Sequence, residues 1–138
     1  MNKIDKIVTV SGYFDPLHIG HLEYFEYAKK LGNYLVVIVN NDYQCQMKKG
    51  KSFMPENDRV KIVAAIKGVD EVVLSVDKDR TVSETLAFIR PDIFANGGDR
   101  HNGEIPEAKV CQKYNIELVD GLGNKIRSSS ELTGLEEK

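Results

Sequence analysis

The sequence predicts an α/β fold, a five-stranded parallel sheet with helices on both faces. Three observations carry that expectation. Five short apolar runs rich in β-branched residues recur along the 138 residues. Between them lie segments whose apolar residues fall three or four apart, the spacing of one helix face. The order is strand then helix throughout; parallel strands need crossovers, and helical crossovers cover both faces of the sheet.

The first strand is Ile7-Val8-Thr9-Val10, and the helix after it carries Leu22, Phe25, Ala28 and Leu31 on one face. Gly32 stops that helix, since glycine readily takes the left-handed conformation of a helix end. Leu35-Val36-Val37-Ile38-Val39 is a continuous apolar run, as in a strand buried on both faces. Residues 40–55 then show no apolar period and read as a long loop. A helix from about Glu56 to Lys67 follows, with Val60, Val63, Ala64 and Ile66 inward and Gly68 at its end. Val72-Val73-Leu74 is the third strand. Val82, Leu86 and Ile89 mark a helix that stops before Pro91, because proline disfavours the helical conformation in the residue before it. Ile93-Phe94-Ala95 is the fourth strand. A helix from Ile105 to Tyr114 has Pro106 in its first turn, where the missing N–H does no harm. Ile116 to Val119 is the fifth strand, and a last short helix begins among Ser128, Ser129 and Ser130. The expected arrangement is Rossmann-like, with residues 1–138 as a single domain.

Composition narrows the function classes. The net charge is −2, which argues against broad charge-driven binding to nucleic acid. No apolar run approaches the roughly 20 residues of a membrane span, and the first residues carry charges where a signal peptide needs an apolar block. Two cysteines, Cys45 and Cys111, suit a reducing compartment rather than a disulfide framework. A cytoplasmic protein without membrane or nucleic-acid partners is expected.

In a parallel sheet the ligand lies beyond the carboxyl ends of the strands, so the loops that follow the strands are where chemistry is sought. The first is Gly12-Tyr13-Phe14-Asp15-Pro16-Leu17-His18-Ile19-Gly20-His21. Gly12 and Gly20 let a ligand approach the backbone closely. His18 and His21 stand three apart at a helix start, so their rings share one face. A helix start offers free N–H groups and a positive dipole end to a phosphate. Two imidazoles there can donate hydrogen bonds as charge grows on a phosphoryl group. A metal site with Asp15 as a third ligand, or two histidines that only satisfy core hydrogen bonds, are the competing readings.

Gly-x-Phe-Asp-x-Leu-His-x-Gly-His directly after the first strand resembles the nucleotidylyltransferase superfamily with the His-x-Gly-His signature. That group includes glycerol-3-phosphate and ethanolamine-phosphate cytidylyltransferases, archaeal FAD synthase and the adenylyltransferase domain of heptose-phosphate synthesis. The likeness continues in order through Ala28-Lys29-Lys30-Leu31-Gly32, Val39-Asn40-Asn41-Asp42, Lys49-Gly50, Asp58-Arg59, Val69-Asp70 and Gly97-Gly98-Asp99, and so covers most of the chain.

The remaining loops take their roles partly from that resemblance. Lys48, Lys49 and Lys51 are either a solvated face or a basic lid over a polyphosphate. The resemblance implies a lysine there that contacts the transferred phosphate; Lys49 is the first choice and Lys48 the second. It also implies that Arg59 lies beside the triphosphate, where the alternative is a surface pair with Glu56 or Asp58. By the same resemblance Asp99 belongs to the nucleotide pocket, with Tyr13, Phe14 and Asp15 from the first loop. Arg100 departs from the pattern, which has an aromatic or a tryptophan at that place. Arg100 and His101 are assigned to an anionic acceptor, since arginine makes a fork to such groups. Ser128, Ser129 and Ser130 can cap a helix or surround the β- and γ-phosphates with hydroxyl and N–H groups, with Arg127 beside them.

The expected activity is transfer of a nucleoside monophosphate from CTP or ATP to a small phosphate monoester, such as a polyol, sugar or amino-alcohol phosphate, with release of pyrophosphate. CTP is slightly favoured, and the heptose-phosphate or FMN type of adenylyl transfer is the alternative. Mg²⁺ is expected on the phosphates without dedicated protein ligands. A homodimer is expected from the resemblance, with Tyr24 and Tyr27 either at its interface or half-buried. A non-catalytic nucleotide sensor is the alternative of another class. The intact His18, His21, Lys49 and Arg59 weigh against it, because a pocket that only binds has no use for transition-state donors.

Overall fold

The computed structural model describes residues 6–96 and 106–119. Five strands, β1 (Ile7–Gly12), β2 (Tyr34–Val39), β3 (Glu71–Leu74), β4 (Ile93–Ala95) and β5 (Glu117–Val119), form one sheet in the order β3-β2-β1-β4-β5. Every neighbouring pair is parallel. The helices are α1 (Ile19–Lys29), α2 (Asp42–Lys49), α3 (Glu56–Ala64), α4 (Ser83–Ile89) and α5 (Ala108–Lys113). The chain runs outward from β1 to β3, then returns to β4 on the other side of β1. That reversal opens a crevice beyond the carboxyl ends of β1 and β4, the usual ligand position in such sheets.

Side-chain alternation along β2 divides the core. Leu35, Val37 and Val39 pack with Val8, Val10, Phe25, Ala28 and Val63 beneath α1 and α3. Ile38 faces the other way and packs with Leu86, Phe94, Cys111 and Ile116 beneath α4 and α5. Both faces are thus covered by helices, as the unbroken apolar run of β2 predicts.

Two differences from the expected elements matter. Residues 40–55 are not a structureless loop, because α2 occupies their first half. It is a helix whose buried residues are Gln44 and Cys45, so no apolar stripe announces it. Asn41 and Gln44 hold its start instead, each side chain accepting from the other's backbone N–H. Asn41-x-x-Gln44 is the capping-box spacing, a signal the periodicity search passes over. Tyr24 is a core side chain rather than an interface one. It is 9% exposed, and its hydroxyl donates to the Ala95 carbonyl at 2.6 Å, tying α1 to the end of β4. Tyr27 stays partly exposed with Lys30 above its ring.

Gly12 ends β1 because of packing. A Cβ there would stand 2.7 Å from the ring of Phe14, which is itself buried against Phe25. Phe14 has φ +53°, so the chain turns back and lays the ring over Gly12. The space opened by the missing side chain is filled by the protein's own aromatic.

Candidate functional site

The turn after β1 presents the two histidines as a pair. His18 is the N-cap of α1, and its Nδ1 accepts from Gly20 N at 3.1 Å. His21, three residues on, accepts from His18 N through its own Nδ1 at 3.1 Å. The result is a capping box built from two imidazoles. A nitrogen that accepts from a backbone N–H carries no proton, so in the neutral ring Nε2 carries it. Both rings are therefore held as hydrogen-bond donors at Nε2, at a helix N-terminus whose dipole favours an anion. The rings stack with centroids 3.9 Å apart, and Phe14 meets His21 edge-on at 5.0 Å. Burial, with the charge of His18, pushes His21 down from 6.5 to about 4. At neutral pH His21 is an uncharged donor.

The last turn of α2 closes on this loop through Lys49. Its Nζ donates to the Asp15 carbonyl at 2.8 Å and pairs with Asp15 Oδ2 at 2.9 Å. The Asp15 carboxylate also accepts from Phe53 N at 2.7 Å and Met54 N at 2.6 Å. Burial raises the Asp15 carboxyl, but the bonds from Phe53, Lys49 and Met54 outweigh it and hold it below its ordinary value. Lys48 lies 4.3 Å above the ring of Tyr13. Lys48, Lys49, Tyr13 and Asp15 therefore gather where the sequence grouped them, though the lysines stand on a helix rather than on a free loop.

Arg59 is 0% exposed. Its Nε donates to Met54 O, its Nη1 to Tyr13 O and Asn40 O, and its Nη2 to Asp42 Oδ1, all between 2.6 and 2.9 Å. Four of the five guanidinium N–H bonds thus hold the protein's own oxygens. Its carboxylate partner is Asp42, and neither Glu56 nor Asp58 supplies one. The fork joins the ends of β1 and β2 to the start of α2 and to the α2–α3 connection.

A second buried network locks α2 to the loop after β3. Gln44 Nε2 donates to Asp79 O and Thr81 O, and Asn41 Nδ2 donates to Ser75 O and Asp77 O. Asp77 in turn accepts from the backbone of Glu84 and Thr85 at the start of α4. Asn41 and Asp42 fall in the Val39-Asn40-Asn41-Asp42 motif, whereas Gln44 and Asp77 organise the edge with no signal of their own beyond the Asn–Gln spacing.

Asp99, Arg100, His101, Arg127, Ser128, Ser129 and Ser130 lie outside the described residues. Among the described residues no group of three His, Cys, Asp or Glu side chains gathers to hold a metal ion. Asp15 and Asp42, the carboxylates that join these loops, are already engaged by Lys49 and Arg59. No helix among the described residues is long and apolar enough to cross a membrane.

The sequence profile described as cytidylyltransferase-like matches residues 9–128. The chain is 42% identical to the FAD synthase of Ferroglobus placidus over 99 residues, which cover 72% of this chain and 63% of that protein. It is 43% identical over 136 residues to the bifunctional protein HldE of Blochmanniella pennsylvanica, covering 96% of this chain and 26% of that protein. The chain thus spans under two thirds of the one relative and about a quarter of the other. Among solved structures, the lipopolysaccharide core biosynthesis protein of Thermoplasma volcanium superposes with a TM-score of 0.72 at 30% identity, covering 84% of this chain and 95% of that one.

Proposed function

The chain belongs to the cytidylyltransferase-like family of nucleotidyltransferases, and from that premise we propose that it transfers an adenylyl group from ATP to a small phosphate monoester. The observation that carries the reading is the reciprocal histidine cap, which holds two Nε2–H donors on one face of a helix N-terminus. Pure nucleotide binding has no need of such a pair, whereas a phosphoryl group gaining charge in a transition state does.

In the proposed reaction an oxygen of the acceptor phosphate attacks the α-phosphorus in line. The bond from that phosphorus to the bridging oxygen breaks, and pyrophosphate leaves with the electron pair. The protein supplies no nucleophile; it positions two anions and stabilises charge. His18 and His21 donate to the α-phosphoryl oxygens, His21 as an uncharged imidazole at neutral pH. Lys49 approaches from α2 with its ammonium. Arg59 acts by holding the strand ends together, and the residues 128–130 are assigned to the departing pyrophosphate. Mg²⁺ arriving with the nucleotide would neutralise part of the charge on its phosphates.

ATP is favoured over the CTP that the sequence leans toward because of the relative called FAD synthase. FAD is the adenylyl ester of FMN, itself a phosphate monoester. FMN is therefore the first acceptor to test, with heptose 1-phosphate and glycerol 3-phosphate beside it.

The test is pyrophosphate release in the presence of Mg²⁺, with ATP, CTP, GTP and UTP crossed against those acceptors. Turnover with ATP and one acceptor, yielding a product whose mass equals acceptor plus AMP, is the expected result. Turnover with CTP alone overturns the choice of base. Tight nucleotide binding with no turnover would favour the sensor.

A further inference from the structure

The Asp15 carboxylate is buried and engaged at both oxygens by the protein. Its side chain is 0% exposed, and its two oxygens accept from Met54 N, Phe53 N and the Lys49 ammonium. A buried carboxylate so engaged presents no oxygen to a nucleotide. Lys49 is the partner that reaches outward, with about a third of its side chain in solvent.

We propose that Asp15 is a positioning residue, which acts on the reaction by fixing the ammonium of Lys49 at the mouth of the site. The proposal rests on the nucleotidyl-transfer reading above, in which Lys49 meets the transferred phosphate. Lysine carries its charge on a long flexible stem, and ordering that stem costs conformational entropy. Here it is ordered before any ligand arrives. Two of the three ammonium N–H bonds go to Asp15, one to the carboxylate and one to the main-chain carbonyl. Among the described residues that leaves the third for a phosphate oxygen. The same carboxylate pins Phe53 and Met54, so it also fixes the connection that leaves α2. One buried anion thus sets both the direction of the lysine and the height of the helix that carries it.

The test is a double-mutant cycle of Asp15→Asn and Lys49→Ala on transfer kinetics, with melting curves for every variant. Asn carries no charge to pair with the ammonium, and Lys49, Phe53 and Met54 must share its single acceptor oxygen. Lys49→Ala is expected to lower kcat on the order of 10²-fold. Asp15→Asn is expected to lower kcat by up to about 10²-fold through misplacement of the ammonium, with the KM of the acceptor changed far less. In the Lys49→Ala background Asp15→Asn should then add almost nothing to the loss. An equal fold-loss in both backgrounds, or no loss in either, overturns the proposal. Asp15→Ser carries the same expectations if Asp15→Asn does not fold.

An arm without turnover separates the two readings. Acylation of Lys49 by an amine-selective reagent, read by peptide mass and normalised to Lys48, should rise severalfold in Asp15→Asn. An unchanged ratio overturns the hold on Lys49 even if transfer is active. A wild-type protein that transfers nothing, yet shows the rise, overturns the function and leaves the Asp15 hold standing.

Discussion

The rings of His18 and His21 lie 3.9 Å apart between centroids and 28° from parallel, each holding a backbone N–H of its own turn through Nδ1. Histidine is an unusual choice for both ends of a capping box. Shorter polar side chains satisfy the N-cap as well, and glutamate or glutamine commonly fills the third helical position. What the imidazoles add is a second nitrogen on the far side of each ring, fixed in its tautomer by the first. The local structure of the helix start and the chemistry assigned to it are one arrangement.

That duality separates under substitution. His18→Asn replaces one good N-cap by another, so the unfolding free energy should stay within about 0.5 kcal/mol of wild type. The Nε2 donor is lost, and kcat should fall about 10²–10³-fold, as when one oxyanion donor is removed. Urea unfolding and transfer kinetics on the same sample check both halves. A parallel loss of stability and activity would reduce His18 to a cap.

His21 should leave a mark on acid stability. Its folded value, about 4, lies below the 6.5 of the free side chain. Between those values the unfolded chain takes up a proton that the folded protein does not. Stability from this group is therefore complete above pH 6.5 and declines as the pH falls toward 4. His21→Gln keeps the capping geometry and removes the titration. Between pH 7 and pH 5 its melting temperature should fall less than that of wild type, which calorimetry reads directly. The window stays above the range in which Asp15, Asp42 and Asp70, all held below their ordinary values, take up protons.

Arg59→Lys keeps the charge and loses the fork. Four oxygens now share the guanidinium, and an ammonium has only three donors in a different geometry. Each main-chain oxygen left without its donor should cost about 1–3 kcal/mol, so a loss of a few kcal/mol is expected, measured by chemical unfolding. Near-native stability with lost transfer would instead assign the guanidinium to the triphosphate, as the family resemblance implies.

The strands were legible because burial on both faces writes itself as unbroken apolar runs, most plainly in β2. Helices α1, α3 and α4 were legible for the related reason that each lays apolar residues against the sheet. Helix α2 was not, since it is seated by Gln44, whose four side-chain hydrogen bonds join Asn40 and Asn41 beside it to Asp79 and Thr81, 35 and 37 residues further on. Arg59 shows the same limit from the other side. The resemblance puts it beside the triphosphate, with a surface pair to Glu56 or Asp58 as the alternative, and the folded protein buries it against Asp42.

The sequence by itself determined the sheet, the alternation of its helices and the loop in which two histidines share a helix start, because hydrophobic period and turn chemistry act over a few neighbouring residues. Only the tertiary structure decided that Asp15 faces Lys49 and two main-chain N–H groups, and that Arg59 binds strand ends rather than solvent. Those contacts join residues 17 to 46 positions apart. Their partners are main-chain groups and single carboxylates, which carry no pattern along the chain and become neighbours only when the parallel sheet brings its carboxyl ends together.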